Sequence, residues 1–208
     1  MHETEYTSHY RIERAPFGSA AFQTHLTLTL SVYKKEGYLT TESAPAELID
    51  GYDNSTAIYC LVRGPTDAIE GTFRVLTKPP FPFSRICPDI ALPIDIVHFC
   101  ETTRLASRKT KRSHHDRTPT EYIACEAVIE SMCIIREQGC TGLLALVSPA
   151  LHTSVNRLFQ SIQRPLGNRR WYAGGYIVPT VIFLSEFEDM LEKSDPLLYL
   201  YYRTRAGF

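Results

Sequence analysis

The sequence predicts an α/β fold in which helices flank a central mixed β-sheet. Two β-rich segments follow each other early in the chain, at 56–63 and 68–76. From residue 94 to residue 194, strand-like segments then alternate with segments of helical periodicity. A chain of 208 residues without an internal repeat is in the size range of one hydrophobic core, so we expect a single domain over residues 1–208.

A helix is the first predicted element, within residues 20–38. Its apolar side chains recur at helical spacing, at Phe22, Leu26, Leu30 and Tyr33. Part of the segment also alternates as a strand would, but we favour the helix. The segment 40–55 has the composition of a loop, and the turn GPTD at 64–67 joins the two β-rich segments into a hairpin of central strands.

The second half of the chain begins after a proline-rich connection. Five prolines within residues 77–93 exclude that segment from a sheet interior and predict a long irregular loop. A third strand is predicted over 94–106, and a helix with Thr118 as N-cap then ends at Gly139. Its apolar face comprises Ile123, Ala127, Val128, Ile134 and Ile135. A buried strand, a helix, a late strand and a short helix follow at 141–148, 149–162, 174–185 and 186–194.

Composition excludes several classes of protein. A net charge of -1 with 44% apolar residues argues against a general nucleic-acid binder. The first 30 residues lack the pattern of a secretory leader, and no window approaches the ~18 apolar residues of a membrane span. We therefore expect a cytoplasmic protein without a membrane span.

The cysteines and histidines do not form a metal-binding pattern. The six cysteines lie mostly in apolar surroundings without a Cys-x-x-Cys pair, which predicts reduced, buried thiols. His114, His115 and Asp116 adjoin one another in a polar run, but no third ligand follows at zinc spacing. We expect no metal site.

Several short motifs occur in an order that resembles one family of acyltransferases. They are DGYD (50–53), GTFRVL (71–76), the proline-rich loop, ETTRLA (101–106), REQGCTGLLALVS (136–148) and PLG…AGG before the late strand. This order is similar to that of GNAT acyltransferases and, more narrowly, of acyl-homoserine-lactone synthases and N-acyl amino acid synthases. The resemblance implies a GNAT-like three-layer sandwich with a splayed sheet, and a mobile N-terminal cover at 1–45 over the amine-donor pocket.

The reaction that the resemblance implies is attack of an amine on an acyl thioester. In the homoserine-lactone synthases of quorum sensing, the amine belongs to S-adenosyl-L-methionine, and lactone closure expels methylthioadenosine. S-adenosyl-L-methionine and an acyl thioester would be the substrates, without a permanently bound cofactor, and acyl carrier protein or acyl-coenzyme A would deliver the acyl chain. An N-acyl amino acid synthase, an exosortase-associated acyltransferase and a non-catalytic binding domain remain alternatives.

A cluster of carboxylates could hold a cationic amine donor. Asp50 and Asp53 lie three residues apart in a predicted loop and would balance positive charge, with Arg74 ordering them. The alternative is that both aspartates only form a turn. The resemblance also assigns Tyr33, Phe83 and Thr103 to substrate binding.

Glu101 is the candidate general base, acting through water. A carboxylate at a buried strand end can have a raised pKa and accept a proton near neutrality. Arg104 is the second candidate catalytic residue, and with Glu101 it would orient the amine donor and its proton acceptor. On a regular strand Arg104 would point to the opposite face, so a β-bulge must intervene if both residues reach the site. An ion pair at the edge of the sheet is the alternative.

The acyl chain would lie between the third strand and the strand at 141–148, beside Leu144, Ala145 and Ser148. A plain core role for this strand is equally natural. Related enzymes that prefer 3-oxo chains resemble one another in having a threonine where this chain has Ala145. Because alanine offers no donor, we expect an unsubstituted chain to be preferred.

Basic residues could dock an acidic acyl carrier protein, or they could simply be solvated. The two candidate groups are Arg157, Arg164, Arg169 and Arg170, and Arg108, Lys109, Lys111 and Arg112.

Two positions depart from the family pattern. The family usually carries an arginine four residues before the aromatic that aligns with Tyr33, and this chain has Thr29 there. A tryptophan usually follows that aromatic, and this chain has Tyr38 and Leu39 instead. Both positions would belong to the cover over the amine-donor pocket.

Overall fold

A mixed sheet with helices on both faces organises the chain in the computed structural model, which describes residues 10–108 and 119–208. The strands are β1 (Arg11–Ala15), β2 (Ala57–Arg63), β3 (Ile69–Leu76), β4 (Phe99–Ser107), β5 (Gly142–Val147), β6 (Arg164–Pro165), β7 (Arg170–Tyr172) and β8 (Gly175–Phe183). The helices are α1 (Ala20–Lys35), α2 (Pro82–Ile86), α3 (Pro119–Glu137), α4 (Pro149–Leu158), α5 (Leu184–Ser194) and α6 (Pro196–Ala206). This arrangement confirms the predicted α/β sandwich.

The sheet has the strand order β1-β2-β3-β4-β5-β8-β6, and β7 pairs with β8 beside it. All neighbouring strands run antiparallel except β4 and β5, which are parallel. The ladder between β4 and β5 extends only from Phe99–Gly142 to Thr102–Ala145, whereas β4 continues to Ser107. The sheet therefore splays after Thr102, as expected for this fold.

A β-bulge interrupts β4 at the start of the splay. Thr72 pairs with Ala106 and Arg74 with Thr103, so β4 contains one more residue than β3 between the same two pairs. Arg104 has φ of 57°, in the left-handed region that a non-glycine residue adopts only at a cost. The bulge predicted from the Glu101 and Arg104 spacing is confirmed.

Two apolar cores lie on opposite faces of the sheet. One packs α3, α5 and α6 against the sheet and includes Phe73, Phe159 and Phe187, and the other packs α1 and α2 against it and includes Phe22 and Phe99. The predicted apolar face of α3 is buried throughout, with exposure of 8% or less. All six cysteines are buried free thiols, as predicted.

The structure corrects two of the element boundaries predicted from the sequence. The third strand begins at Phe99 and not at residue 94, because Asp95 accepts a hydrogen bond from the Val97 N–H and starts a short 3-10 turn. Helix α4 ends at Leu158 and not at residue 162, because Gln160 and Ser161 have left-handed backbones. The predicted N-cap Thr118 lies outside the described residues.

Sequence analysis missed β1, β6, β7, α2 and α6, and α2 lies within the segment 77–93 that was predicted to be an irregular loop. Helix α6 has recognisable start signals, because the Asp195 side chain accepts from the Leu198 N–H and Pro196 follows at the first helical position. Strand β1 has no such signal, and it forms through pairing with β2 from Arg11–Arg63 to Ala15–Tyr59. Within the described part of the chain, no helix is long and apolar enough to span a membrane.

Candidate active site

A cavity of about 390 Å³ passes through the splay between β4 and β5. It has a polar arm on the α1 face of the sheet, lined by Tyr33, Tyr38, Asp50, Arg74, Glu101 and Arg104. It has an apolar arm on the α3 face, lined by Ala127, Val128, Leu143, Ala145, Val147 and Val155. The cavity can thus hold a charged and an apolar group on opposite sides of one gap.

Two aspartates and two arginines form a closed ion cluster in the polar arm. Nη1 of Arg74 lies 2.9 Å from Asp50 Oδ1 and 2.7 Å from Asp53 Oδ1. Arg104 reaches the other oxygen of each aspartate, both at 3.0 Å. The four charges balance, which confirms the predicted pairing of Arg74 with the two carboxylates.

The aspartates differ in their access to the cavity. The Asp53 side chain is fully buried, and it also accepts hydrogen bonds from the Tyr59 hydroxyl at 2.6 Å and the Asp50 N–H at 2.8 Å. The Asp50 side chain is 38% exposed and lines the cavity. Burial opposes its ionisation, but hydrogen bonds and charge from Arg74, helped by Arg104, outweigh this and lower the pKa of Asp50 to about 2. Asp50 therefore presents a carboxylate to a ligand, whereas Asp53 holds the cluster together.

The β-bulge brings Arg104 into this cluster. Its guanidinium is 9% exposed, bonds both aspartates and donates to the backbone carbonyl of Leu48. These contacts compensate the cost of its left-handed backbone and bind the 48–53 loop to β4. Glu101 and Arg104 consequently line the same cavity.

Glu101 forms no ion pair with the other described residues. Its side chain is fully buried and accepts one hydrogen bond, from the Phe83 N–H to Oε2 at 3.0 Å. Oε1 has no partner among the described residues. Burial raises the pKa of Glu101 to about 8, and the opposing effects of the Phe83 N–H and Arg74 are smaller. Glu101 has the pKa and the free oxygen that a general base near neutral pH requires.

A pair of hydroxyls lies at the junction of the two arms. Thr102 pairs with Ala145 across the last rung of the β4–β5 ladder, and its hydroxyl lies 2.9 Å from that of Ser131 on α3. Both residues line the cavity. Because these hydroxyls lie next to Ala145, the absence of a donor on alanine is not sufficient to exclude a 3-oxo chain, and the preference for an unsubstituted chain stays a prediction.

The other predicted binding residues divide into two groups. Tyr33, Thr103 and Ser148 line the cavity, where Thr103 accepts from Arg74 Nε at 2.9 Å and Ser148 caps α4. Phe83 and Leu144 are buried in the α1-side core behind the cavity wall. Phe83 contributes its backbone N–H to Glu101, and Leu144 contributes packing alone, in place of the predicted contact with an acyl chain.

Intrachain contacts engage the four arginines predicted to dock a carrier. Arg157 pairs with Glu121, Arg164 with Glu186 at 2.7 Å, and Arg170 with Asp89 at 2.6 Å. Arg169 lies over the ring of Tyr176, 4.8 Å from its centroid. Of the second basic group, Arg108 is described, and Lys109, Lys111 and Arg112 lie outside the described residues. The docking surface stays a prediction.

The position that departs from the family pattern is buried beneath the cluster. Thr29 is fully buried on α1, one turn after His25, and neither the Thr29 hydroxyl nor His25 Nε2 has a partner among the described residues. Burial, with the charges of Arg104 and Arg74, lowers the pKa of His25 to about 3, so the ring is neutral. Tyr38 and Leu39 line the cavity in the region where the family has its tryptophan.

Sequence reasoning missed Tyr59, Ser131 and Gln163 as site residues. Each is polar and at most 4% exposed. A buried polar side chain within an apolar strand or helix, as at Tyr59 and Ser131, is a usable signal. Gln163 follows the end of α4 and carries no such signal.

Solved structures with the same fold include acyltransferases of the predicted kind. TofI, in a ternary complex with an inhibitor and MTA, is 17% identical, covers 90% of this chain and 98% of its own, and has a TM-score of 0.64. BjaI, a CoA-dependent acyl-homoserine lactone synthase with SAM and isopentyl-CoA, is 15% identical, with coverages of 88% and 89% and a TM-score of 0.58. FeeM, an N-acyl amino acid synthase from uncultured soil microbes, is 13% identical, with coverages of 88% and 97% and a TM-score of 0.62.

The structural likeness confirms the fold predicted from the motifs, which is that of the GNAT-like acyltransferases. No protein-family model matches the chain, and no curated protein matches its sequence.

The buried Glu101 should make stability depend on pH. Its folded pKa of about 8 exceeds the ordinary value of 4.5, so its contribution to stability is complete below pH 4.5 and is lost as the pH rises through 8. Glu101→Gln removes this titration and keeps an acceptor for the Phe83 N–H. Between pH 4.5 and pH 8, the free energy of unfolding of the variant should rise relative to that of the wild type by up to ~1.4 kcal/mol per pH unit. Urea unfolding at a series of pH values measures this difference.

Glu192→Gln, at an exposed position of α5, controls for the substitution itself. Parallel stability profiles of Glu101→Gln and wild type from pH 5 to pH 8 would show that Glu101 is ionised in the folded protein.

Proposed function

We propose that this chain is an acyltransferase that moves an acyl group from a thioester to an amine, and that it is an acyl-homoserine-lactone synthase using S-adenosyl-L-methionine. The observation that carries the proposal is Glu101, a buried carboxyl with a free oxygen facing a cavity in the splay of a GNAT-like sheet. The polar arm suits a zwitterionic amine donor, and the apolar arm suits an acyl chain. The GNAT-like neighbours, among them BjaI with SAM and isopentyl-CoA, support this assignment.

Glu101 acts in this proposal as the base that deprotonates the amine through a water molecule. The freed amine nitrogen attacks the thioester carbon, the C–N bond forms, the C–S bond breaks, and the thiolate takes up a proton and leaves as a thiol. The β4–β5 ladder ends at Thr102 and Ala145, so main-chain groups just beyond it are available to polarise the thioester carbonyl. Closure of the substrate carboxylate onto its own side chain then expels methylthioadenosine.

Asp50 and Arg104 orient the amine donor. Asp50 faces the cavity with an ionised carboxylate and can balance the ammonium or sulfonium charge. Arg104 lines the same arm and can approach the donor carboxylate. The Asp50 carboxylate and the Arg104 guanidinium can therefore face groups of opposite charge on the same donor.

The acyl donor in this proposal is a thioester of acyl carrier protein or of coenzyme A. Three of the four arginines predicted to dock a carrier already pair with acidic residues of this chain. A carrier protein would have to exchange those pairs, whereas coenzyme A needs fewer contacts. Both sources share the pantetheine arm that would enter the cavity. We place the reaction in the cytoplasm, which supplies these substrates and keeps cysteines reduced.

Of the N-terminal cover predicted at 1–45, residues 20–45 are proposed to be mobile over the polar arm, because Arg11–Ala15 form β1 of the sheet and residues 1–9 lie outside the described residues. Helix α1 buries His25 and Thr29 with unmet hydrogen-bonding groups, which weakens its docking onto the sheet. Tyr33 and Tyr38 lie over the cavity and stack edge to face at 5.6 Å. Movement of this helix end would open the polar arm to the amine donor.

An N-acyl amino acid synthase is the second candidate, favoured by Thr29. The hydroxyl of Thr29 replaces the arginine that homoserine-lactone synthases usually carry, so the amine donor could differ. FeeM, which has this activity, is structurally about as similar to the chain as TofI.

Incubation with acyl thioesters and S-adenosyl-L-methionine tests the function directly. We expect free thiol and methylthioadenosine in equal amounts, with kcat/KM rising with pH up to about 8 as Glu101 loses its proton. Glu101→Gln should lower turnover by roughly 10²–10⁴ and abolish that rise. Thiol release with free amino acids alone would establish the second candidate, and no thiol release with any amine would contradict acyl transfer.

The variants Asp50→Asn and Asp53→Asn should have different effects, one on substrate binding and the other on stability. Asp50→Asn is expected to raise KM for the amine donor by roughly tenfold, with KM for the acyl thioester unchanged, because only the amine donor is cationic. Asp53→Asn should instead lower the thermal stability, because it leaves two buried guanidiniums short of a counterion. Equal effects of both variants on both KM values would assign the two aspartates a single structural role.

A further inference from the structure

Gln163 is a buried polar residue in the otherwise apolar arm of the cavity. It follows α4, is 4% exposed and lines the cavity together with Val155 and Ile182. Its backbone N–H donates to Asn156 Oδ1 at 2.8 Å, and its backbone carbonyl accepts from Asn156 Nδ2 at 3.0 Å. The residue is therefore held in place by both of its main-chain groups.

The same contacts fix the orientation of the Gln163 carboxamide. A backbone N–H can only donate, so the Asn156 atom that it meets is the oxygen, and the other terminal atom is the NH2 group. That NH2 group lies 3.3 Å from His152 Nε2, which must accept, because a protonated ring would set two donors against each other. In the neutral ring the proton is then on Nδ1, which donates to Gln163 Oε1 at 3.1 Å.

In this hydrogen-bond network, the side-chain NH2 group of Gln163 is not used and is available to a ligand in the cavity. The hydrogen bonds of Gln163 to other described residues use its backbone N–H, its backbone carbonyl and Oε1. An amide N–H that loses water without gaining an acceptor is costly, so a bound ligand that places an oxygen opposite this group is favoured over one that does not. The apolar arm therefore contains a fixed hydrogen-bond donor.

The strand register places this donor deeper than the hydroxyls of Thr102 and Ser131. Arg164 pairs with Val181, so Gln163 lies level with Ile182, which pairs with Leu143. Leu143 is two residues before Ala145 and on the same face of β5. The level of Leu143 and Gln163 is therefore about 7 Å further from the splay than that of Ala145. A chain whose thioester carbon sits at the splay would reach Gln163 with its middle or distal carbons.

We propose that Gln163 selects acyl chains that carry an oxygen acceptor, such as a keto group, beyond their third carbon. The inference rests on the proposed function, since it makes the apolar arm the acyl site. A keto oxygen accepts from the Gln163 NH2 group, whereas a saturated chain displaces water from that group and supplies no acceptor. Gln163 is thus a specificity residue, and it takes no part in the chemical step.

Binding to pantetheine thioesters tests this proposal without an amine donor. The probes are octanoyl-pantetheine and isomers in which a keto group is moved stepwise from the third carbon to the seventh, titrated by calorimetry. We expect one isomer beyond the third carbon to bind about tenfold more tightly than octanoyl-pantetheine. Gln163→Met keeps the side-chain length, removes both N–H donors and should reduce this ratio to about one.

Gln138→Met, at an exposed glutamine after α3, is the matched control and should keep the wild-type ratio. Equal binding of all isomers by the wild type, an unchanged ratio in Gln163→Met, or no binding of any chain would overturn the proposal. Failure of the proposed function gives a different result. If the wild type prefers a keto chain, Gln163→Met loses that preference and the wild type releases no methylthioadenosine, the acyl site is supported and only the proposed reaction is contradicted.

Discussion

Asp53 accepts hydrogen bonds from three elements that the chain brings together only on folding. They come from Tyr59 on β2, Arg74 on β3 and Arg104 on β4, at 2.6 to 3.2 Å. A fully buried carboxylate requires such compensation, because breaking a buried ion pair typically costs about 3–5 kcal/mol. The position of the 48–53 loop over the sheet therefore depends on this side chain, together with the ion pairs of Asp50 and the contact of Arg104 with the Leu48 carbonyl.

The same interaction determines the geometry of the splay. Arg104 adopts a left-handed backbone at the bulge, and its two ion pairs with the aspartates compensate that strain. Without the bulge, the period of two along β4 would place Glu101 and Arg104 on opposite faces of the sheet. The cluster thus determines which side chains meet in the cavity.

Neighbouring carboxyl groups in this cavity have opposite protonation behaviour because their surroundings differ. Asp50 is ionised because Arg74 and Arg104 together outweigh the cost of its burial. Glu101 is fully buried with one hydrogen bond from the Phe83 N–H, and its pKa is raised to about 8. One group can balance a positive charge while the other accepts a proton, which is the division that acyl transfer to a cationic amine donor requires.

Local sequence patterns were sufficient for the features that depend on near neighbours. The helix at 20–35, the hairpin of β2 and β3, and the need for a bulge between Glu101 and Arg104 all follow from periodicity over a few residues. The hydroxyl pair of Thr102 and Ser131 could not be predicted, because its partners are 29 residues apart and meet only through helix packing. Likewise, strand β1 has a single ladder partner, β2, and its pairing depends on register with a strand more than forty residues away.

The role of Asp53 as the centre of the cluster is tested most directly by hydrogen–deuterium exchange of Asp53→Asn against the wild type. If the cluster holds both the loop and the bulge, backbone amides in 48–53 and 101–107 should exchange roughly tenfold faster or more in the variant. Amides of α5 and α6, on the far face of the sheet, should exchange at the wild-type rate. Unchanged exchange in 101–107 would contradict the account, because the bulge would then be stable without the ion cluster.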